Sequence, residues 1–289
     1  MRYKDISRIQ KLTLILLLLS VGTVSAAEKA KLKGLLITGG CCHDYEKQKV
    51  IISEGFSQRF SIEWDIVHAS SDRNTKIDIY NNKDWAKGYD LVVHNECYGG
   101  VTDVDWVQNI VNGHIDNKVP ALFIHCSAHS YRHAKTDEWR KLLGVKSMRH
   151  EKGGRMLEVT NKENANPIMT KFPESWTTPN GELYVIENIW PTVKPLATAY
   201  GEETKTDHQV IWTNEYKGVK VFATTLGHHN ETMQAEPWLE TVSRGALWTL
   251  GLLEKDGSVK KGYEGSGIKK FSFEKEAKGE PTPAKVKSN

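Results

Sequence analysis

The stretch Pro-Ala-Leu-Phe-Ile-His-Cys-Ser-Ala-His, residues 120–129, decides the fold prediction because a short apolar run changes abruptly to polar side chains. The run is too short for a buried helix, whereas residues 127–143 carry apolar side chains at roughly helical intervals. This pattern predicts a buried strand, a tight turn and a helix. Ligands of open α/β sheets bind outside the carboxyl ends of the strands, so His125, Cys126 and His129 mark a predicted site.

The same alternation of strand and helix patterns covers the first half of the chain. Apolar runs predict strands at residues 33–40, 61–68 and 89–96, and helical periodicity predicts helices at 45–60 and 103–117. The polar segment between the second and third strands is interpreted as loop and short helix. Strands separated by helices are typical of a parallel sheet, so the predicted class is α/β.

The second half is less regular. Strands are predicted at residues 155–160 and 183–187, and residues 161–180 read as a loop region. The sequence Glu-Tyr-Lys-Gly at 215–218 predicts a hairpin turn between strands at 209–214 and 219–225. An amphipathic helix over residues 237–253 is expected to close the domain.

Both ends of the chain differ from the middle. Residues 1–26 resemble a secretory signal peptide, with basic residues ahead of an apolar run and Val-Ser-Ala at the cleavage site. The apolar run is too short to span a bilayer, so we expect a periplasmic or extracellular protein without a membrane span after signal cleavage. Residues 27–254 are predicted to form one domain, and the Lys-, Glu- and Gly-rich residues 255–289 a poorly ordered tail.

The charge balance argues against a nucleic-acid partner. Removal of residues 1–26, with four basic residues and one acidic, turns 39 basic and 36 acidic residues into 35 of each. Nucleic-acid binding depends on a basic surface, and a neutral mature chain does not suggest one.

Cysteine usage leaves the redox state open. Four cysteines are too few for the disulfide framework of a small secreted domain, although they allow up to two bridges. Adjacent Cys41 and Cys42 are not expected to pair with each other, because ordinary bridges join more separated backbones. Cys126 is also an alternative candidate nucleophile, as in a hydrolase, beside the simpler interpretation of a small buried side chain.

Histidines recur at the predicted strand ends. Because these ends share one rim of a doubly wound sheet, the residues are expected to converge. Imidazoles and carboxylates together suit zinc or another divalent metal. The candidate ligands are a subset of His43, His125, His129 and His228.

Other side chains at this rim are candidate substrate-binding groups. They are His43, Asp44, His94, His129 and His229. No compact metal signature such as H-E-x-x-H is present, and Gly39-Gly40 belongs to no nucleotide-binding motif, so no nucleotide cofactor is expected.

Four ordered motifs resemble the ThuA-like family, which is associated with trehalose utilisation and has a flavodoxin-like sheet related to class I glutamine amidotransferases. They are Leu-Ile-Thr-Gly-Gly at 36–40 with His43-Asp44, Phe-Ile-His-Cys-Ser-Ala at 123–128, Glu-Leu-Tyr at 182–184 with Pro-Leu-Ala at 195–197, and Val-Phe-Ala-Thr-Thr-Leu-Gly-His at 221–228 with Arg-Gly-Ala at 244–246. The resemblance implies a flavodoxin-like, amidotransferase-like parallel sheet with helices on both faces.

The chain departs from amidotransferases at their catalytic cysteine. Their nucleophile occupies a G-x-C-x-G turn, whereas here His125 takes that position and Cys126 follows one residue later. A one-residue offset in a strand reverses the side-chain direction, so glutaminase chemistry is not expected.

The resemblance also implies a small carbohydrate substrate, such as a 3-keto-glycoside that is cleaved or isomerised. In such chemistry His125 or His228 would serve as the base and Glu96 would orient it or bind metal. The alternative is a non-catalytic sugar-binding or scaffold protein.

Overall fold

A computed structural model of the chain describes residues 31–276, so the predicted signal peptide and the last 13 residues lie outside the described part. Eleven strands are present within it. They are β1 (Leu32–Gly40), β2 (Ile62–Ala69), β3 (Leu91–Cys97), β4 (Ala121–Ile124), β5 (Val145–His150), β6 (Glu158–Asn161), β7 (Ser175–Thr177), β8 (Tyr184–Ile189), β9 (Lys194–Gly201), β10 (Thr206–Tyr216) and β11 (Val219–Thr224).

Six α-helices accompany these strands. They are α1 (Tyr45–Arg59), α2 (Val104–Asn117), α3 (Glu138–Leu143), α4 (Asn230–Gln234), α5 (Glu236–Thr249) and α6 (Ser272–Glu276). Two short 3-10 helices cover Asp78–Asn81 and His125–His129. Among residues 31–276, no helix is both long and apolar enough to cross a membrane.

The main sheet has nine strands in the order β2-β1-β3-β4-β11-β10-β9-β6-β7. The first five are mutually parallel, which confirms the predicted parallel core. From β11 outward the neighbours are antiparallel. The predicted hairpin is confirmed between β10 and β11, where Lys217 and Gly218 both have positive φ, as a two-residue turn between twisted strands requires.

Helices cover both faces of the parallel core. Leu36 of β1 packs in one apolar cluster with residues of α1 and α5, and its neighbours Leu35 and Ile37 pack in a second cluster with residues of α2 and α3. Alternate side chains of a strand point to opposite faces, so both sides of the sheet are buried. The α/β fold with helices on both faces is therefore confirmed.

The segment after β4 differs from the prediction. We predicted a helix over residues 127–143, but α3 covers only its last six residues and a 3-10 turn follows β4 directly. His125 and Tyr131 have φ values of 45° and 56°. A regular right-handed helix cannot pass through such residues, so the chain turns irregularly and brings His125–His129 to the sheet rim.

Strands β5, β7 and β9 are additional to the prediction. β7 lies within the predicted loop region, and β5 pairs with β8 in a separate two-stranded sheet. The predicted poorly ordered tail also differs from the structure where it is described. Phe271 is buried in the core, and the backbone of Ser61 donates to Tyr263, because the apolar side chains of this segment cover the outside of α1.

Candidate metal centre and active site

Three parallel strands each place one histidine at the carboxyl rim of the sheet. His43 follows β1 after a turn in which Gly39, Gly40 and Cys42 have positive φ. His125 follows β4 directly, and its own positive φ is a conformation that non-glycine residues adopt mainly at strained or functional positions. His228 follows β11 after Gly227, which also has a positive φ of 114°. The predicted convergence of these strand ends is confirmed.

The three imidazoles meet nitrogen to nitrogen. His228 Nδ1 lies 3.0 Å from His43 Nε2 and 3.1 Å from His125 Nε2. One nitrogen from each ring falls within 4.8 Å of the others, a separation that a single metal ion can bridge. Of the four predicted metal ligands, His43, His125 and His228 are therefore brought together.

Hydrogen bonds fix which nitrogens carry protons. His125 Nδ1 lies 2.6 Å from the carbonyl oxygen of Thr225, which can only accept, so Nδ1 is the donor and Nε2 of the neutral ring has a lone pair. The Tyr45 hydroxyl donates to the carbonyl of Cys41, so the His43 Nδ1–H donates to the Tyr45 oxygen at 3.1 Å. Both Nε2 lone pairs then face His228 Nδ1, which has one proton at most.

Burial keeps these rings neutral. Desolvation, with the neighbouring His228 as the second cause, lowers the pKa of His43 to about 4. Desolvation and the rings of His229 and His150 lower the pKa of His228 to about 4. The pKa of His125 is held well below its usual range by burial and by His43. Three neutral imidazoles with too few protons to share form a donor set that fits a divalent cation.

Glu182 adds a carboxylate beside the three histidines. Its Oε2 lies 3.6 Å from His125 Nε2 and 3.5 Å from His228 Nδ1. Its Oε1 lies 3.2 Å from His150 Nδ1, which is also 2.7 Å from the carbonyl oxygen of Glu151. Burial raises the pKa of Glu182, and the nearby His150 opposes that rise. We did not predict Glu182 as a site residue, although it lies within one of the family motifs.

A cavity of about 170 Å³ opens onto this cluster. On one wall the ring of His129 stacks on Tyr184 with centroids 3.9 Å apart, and the Tyr184 hydroxyl lies 3.5 Å from His125 Nε2. His129 Nε2 is 2.9 Å from the Ser147 hydroxyl and is not among the three converging rings. The predicted ligand His129 is therefore a wall residue.

The lining of the cavity also contains two disulfides. Cys41 is bonded to Cys42, and Cys97 to Cys126. The expectation that adjacent cysteines do not pair was wrong, because the turned backbone at Cys42, with φ of 86°, brings the neighbouring sulfurs together. The alternative in which Cys126 is a nucleophile was also wrong, because its sulfur is bonded to Cys97 and is not a free thiol.

Two of the predicted residues lie near the site in structural roles. Asp44 caps helix α1 by accepting from the backbone N–H of Lys47 and also accepts from the Asn230 amide. His229 is the residue before α4, and with Asp44 it lines an open groove on the outer side of His43 and His228.

The predicted residues His94 and Glu96 lie elsewhere. Both are fully buried, and His94 Nδ1 is 2.9 Å from Glu96 Oε1 while its Nε2 is 2.8 Å from His114 Nε2. Tyr80 also donates to Glu96. Glu96 was predicted to orient the catalytic histidine, but its hydrogen-bond partners belong to this interior group. Both side chains point to the face of the sheet covered by α2.

The fold and the rim together define an α/β protein with a three-histidine pocket at the carboxyl ends of its parallel strands. The ThuA family model, described as trehalose utilisation, matches residues 35–249. The chain therefore belongs to the ThuA family.

Solved structures agree with this assignment. A putative ThuA-like protein from Parabacteroides merdae is 18% identical, with 81% of this chain and 97% of that chain covered and a TM-score of 0.57. Another from Bacteroides uniformis is 14% identical, with 82% and 98% covered and a TM-score of 0.60. At these identities the likeness concerns the fold. No curated protein matches the sequence.

Proposed function

We propose that this protein is a metal-dependent enzyme that acts on a carbohydrate, with zinc or another divalent ion held by His43, His125 and His228. The observation that carries the proposal is the convergence of three neutral imidazole nitrogens within 4.8 Å at the end of a cavity. The family description, trehalose utilisation, supports a sugar substrate. A histidine set of this kind leaves a coordination position open, as catalytic zinc sites do.

The substrate class that we propose is a 3-keto-glycoside, which the resemblance to the ThuA-like family implies. A ketone acidifies the neighbouring C–H bond, and such a proton can be removed by a positioned carboxylate. When bound, a divalent ion would polarise the ketone and stabilise negative charge on its oxygen.

Glu182 is the residue we assign to proton transfer. Its carboxylate takes the proton from the carbon between the ketone and the anomeric carbon, and the C–H electron pair moves to form an enolate. The enolate then restores the ketone, a C=C bond forms between the deprotonated carbon and the anomeric carbon as the glycosidic C–O bond breaks, and Glu182 returns its proton to the departing oxygen, which leaves an enone and a free alcohol. The position of Glu182 suits both halves of this exchange, since its Oε2 faces the three histidines beside which the sugar would bind.

The neighbours of Glu182 hold it in place for this role. The His150 Nδ1–H points between Glu182 and the Glu151 carbonyl, so it orients one carboxylate oxygen and leaves Oε2 toward the histidines. His125 and His228, which the sequence suggested as bases, are assigned to metal binding because their free nitrogens face one another.

The proposal includes an oxidising compartment. Two disulfides line the cavity, and such bonds persist in the periplasm or outside the cell. This agrees with the signal peptide predicted at residues 1–26.

Turnover of 3-keto-glucosides by the zinc-loaded protein tests the proposal. We expect turnover in the wild type and a loss of at least about 100-fold in His125→Ala and in the less buried His228→Ala. The exposed His133 provides the matched control, and His133→Ala should retain activity. Binding of the sugar without turnover in the wild type would instead favour the non-catalytic sugar-binding protein.

A further inference from the structure

Two arginines line the cavity beside the histidines, Arg73 and Arg132. Residues 31–276 contain seven arginines, and five of them lie within 4 Å of a carboxylate. Those five are Arg59, Arg140, Arg149, Arg155 and Arg244. The two arginines of the described part that have no carboxylate partner are therefore the two that face the cavity.

Arg132 has one hydrogen bond to the backbone and no carboxylate partner among the described residues. Its Nη1 donates to the carbonyl of Met148 at 3.1 Å, and its Nε is buried without a hydrogen-bond partner among the described residues. Its side chain also lies against Gly99, another residue of the cavity wall. A guanidinium group that lines a cavity and has no carboxylate partner is a favourable site for an anion, because charge-assisted hydrogen bonds to a carboxylate or phosphate are strong.

The remaining groups of the cavity do not balance these charges. Glu182 is the single acidic residue among those that line it, and Glu182 is already bonded to His150. Burial, with Arg132 as the second cause, lowers the pKa of His129 to about 2, so this ring adds no charge at neutral pH. Two guanidinium groups against one carboxylate leave the cavity positive even before a metal ion is added.

We propose that the substrate carries an anionic group, a carboxylate or a phosphate, which Arg132 and Arg73 bind while the sugar extends to the three histidines. This inference rests on the proposed function of the same cavity. Arg132 lies beside His129, His129 stacks on Tyr184, and the Tyr184 hydroxyl reaches His125. One small molecule therefore spans both ends, which points to a sugar acid or a sugar phosphate as the substrate.

The affinities of the zinc-loaded protein for glucose, glucuronate and glucose 6-phosphate, measured by competition binding, test this inference. The three probes share the same sugar ring and differ in charge. We expect one or both anionic probes to bind about 10- to 100-fold more tightly than glucose, as hydrogen bonds to a charged group predict. The probe with the larger advantage identifies the anion. Arg132→Gln should abolish that preference, and Arg73→Gln, at an exposed position that tolerates substitution, should reduce it.

Two controls separate this site from other causes. Arg149→Gln removes an exposed arginine that pairs with Glu203 and should leave the preference unchanged. Anions can also bind zinc itself, so the titration is repeated after removal of zinc with a chelator. The wild type should then still bind the anionic probe more tightly than Arg132→Gln does. Equal affinity for all three probes, or a preference that both cavity-arginine variants retain, would overturn the inference. Turnover of neutral 3-keto-glucosides in that case would leave the proposed function intact.

Discussion

Two groups of histidines in this protein have nearly the same nitrogen-to-nitrogen separations but opposite hydrogen-bond balance. In the interior group, His94 Nε2 lies 2.8 Å from His114 Nε2, and His114 Nδ1 donates to the Val119 carbonyl at 2.8 Å. Each ring nitrogen there has a partner, because the chain of bonds continues from His114 through His94 to Glu96. In the rim group, two lone pairs converge on a third ring with at most one proton to give.

This contrast distinguishes structural histidines from histidines that can bind a ligand. In the interior chain each ring nitrogen has one partner, and the proton between His94 Nδ1 and the Glu96 carboxylate is held by one of these two groups, so no shared centre is left for a cation to fill. A convergent set lacks protons at its centre and is satisfied by a cation. The two groups also differ in access to a ligand. His94 and His114 are fully buried, whereas the rim group borders a cavity.

The largest effect we expect from the rim is on catalysis through Glu182. Glu182→Gln keeps the shape of the side chain but removes its ability to take up a proton, so kcat on a 3-keto-glucoside should fall by about 100- to 10,000-fold. Zinc content should stay unchanged. Glu187→Gln, at an exposed position of the nearby strand β8, is the matched control. Full activity in Glu182→Gln would show that the base is another group.

A substitution in the interior group should instead lower the stability of the fold. His114→Ala removes a buried ring that contacts Trp85 and His94, and it leaves the His94 N–H without an acceptor. We expect the free energy of unfolding, measured by urea denaturation, to fall by about 3 kcal/mol. The zinc content of the folded protein should not change. Loss of zinc with unchanged stability would reverse our assignment of the two groups.

The pH dependence of stability gives a second test of the structural role of the interior histidines. Burial, with His94 as the second cause, lowers the pKa of His114 from 6.5 to about 3. The unfolded chain therefore binds a proton at His114 that the folded chain does not, and stability is lost as pH falls from about 6.5 toward 3. At pH 5 this amounts to about 2 kcal/mol relative to pH 8.

The variant His114→Gln measures that contribution, because glutamine supplies a donor and an acceptor but does not titrate. Urea midpoints of the metal-free protein at pH 8 and pH 5 should differ by less in His114→Gln than in the wild type. The same pH dependence in both proteins would mean that His114 takes up a proton in the folded protein as readily as in the unfolded chain, which contradicts the assignment.

The smallest effect that we expect is at Asp44, which is adjacent to His43 in sequence but caps the N-terminus of helix α1. Asp44→Ala should lower the free energy of unfolding by about 1 kcal/mol through loss of the helix cap. The KM for sugar should stay close to that of the wild type. A large rise in KM with normal stability would restore the sequence prediction that Asp44 binds substrate.

The sequence predicts those parts of the fold in which the apolar residues of a helix or strand recur on the side that packs in the core. Helices α1 and α2 and strands β1 to β4 follow apolar periodicity, and the strand-end rule brings together His43, His125 and His228. Periodicity does not tell which side of a buried strand faces the site. His94 and Glu96 were placed at the rim for that reason, whereas their side chains lie among those packed under α2.

The residues that the sequence did not reveal come from irregular segments. Glu182 precedes β8, His150 ends β5, and these two strands form a small sheet separate from the main one. Their approach to the histidines depends on tertiary packing alone. The bond between Cys41 and Cys42 was missed because it depends on a turned backbone that the spacing of cysteines does not encode.

The zinc content of the purified protein is the decisive test of the metal site formed by His43, His125 and His228. Protein purified without a polyhistidine tag is dialysed against zinc and then against buffer, and the metal is measured by elemental analysis in the wild type, His125→Ala and His114→Gln. A single convergent site predicts about one zinc per chain in the wild type and in His114→Gln, and almost none in His125→Ala. A wild-type content well below one per chain after zinc incubation, together with activity that a chelator does not change, would contradict the claim.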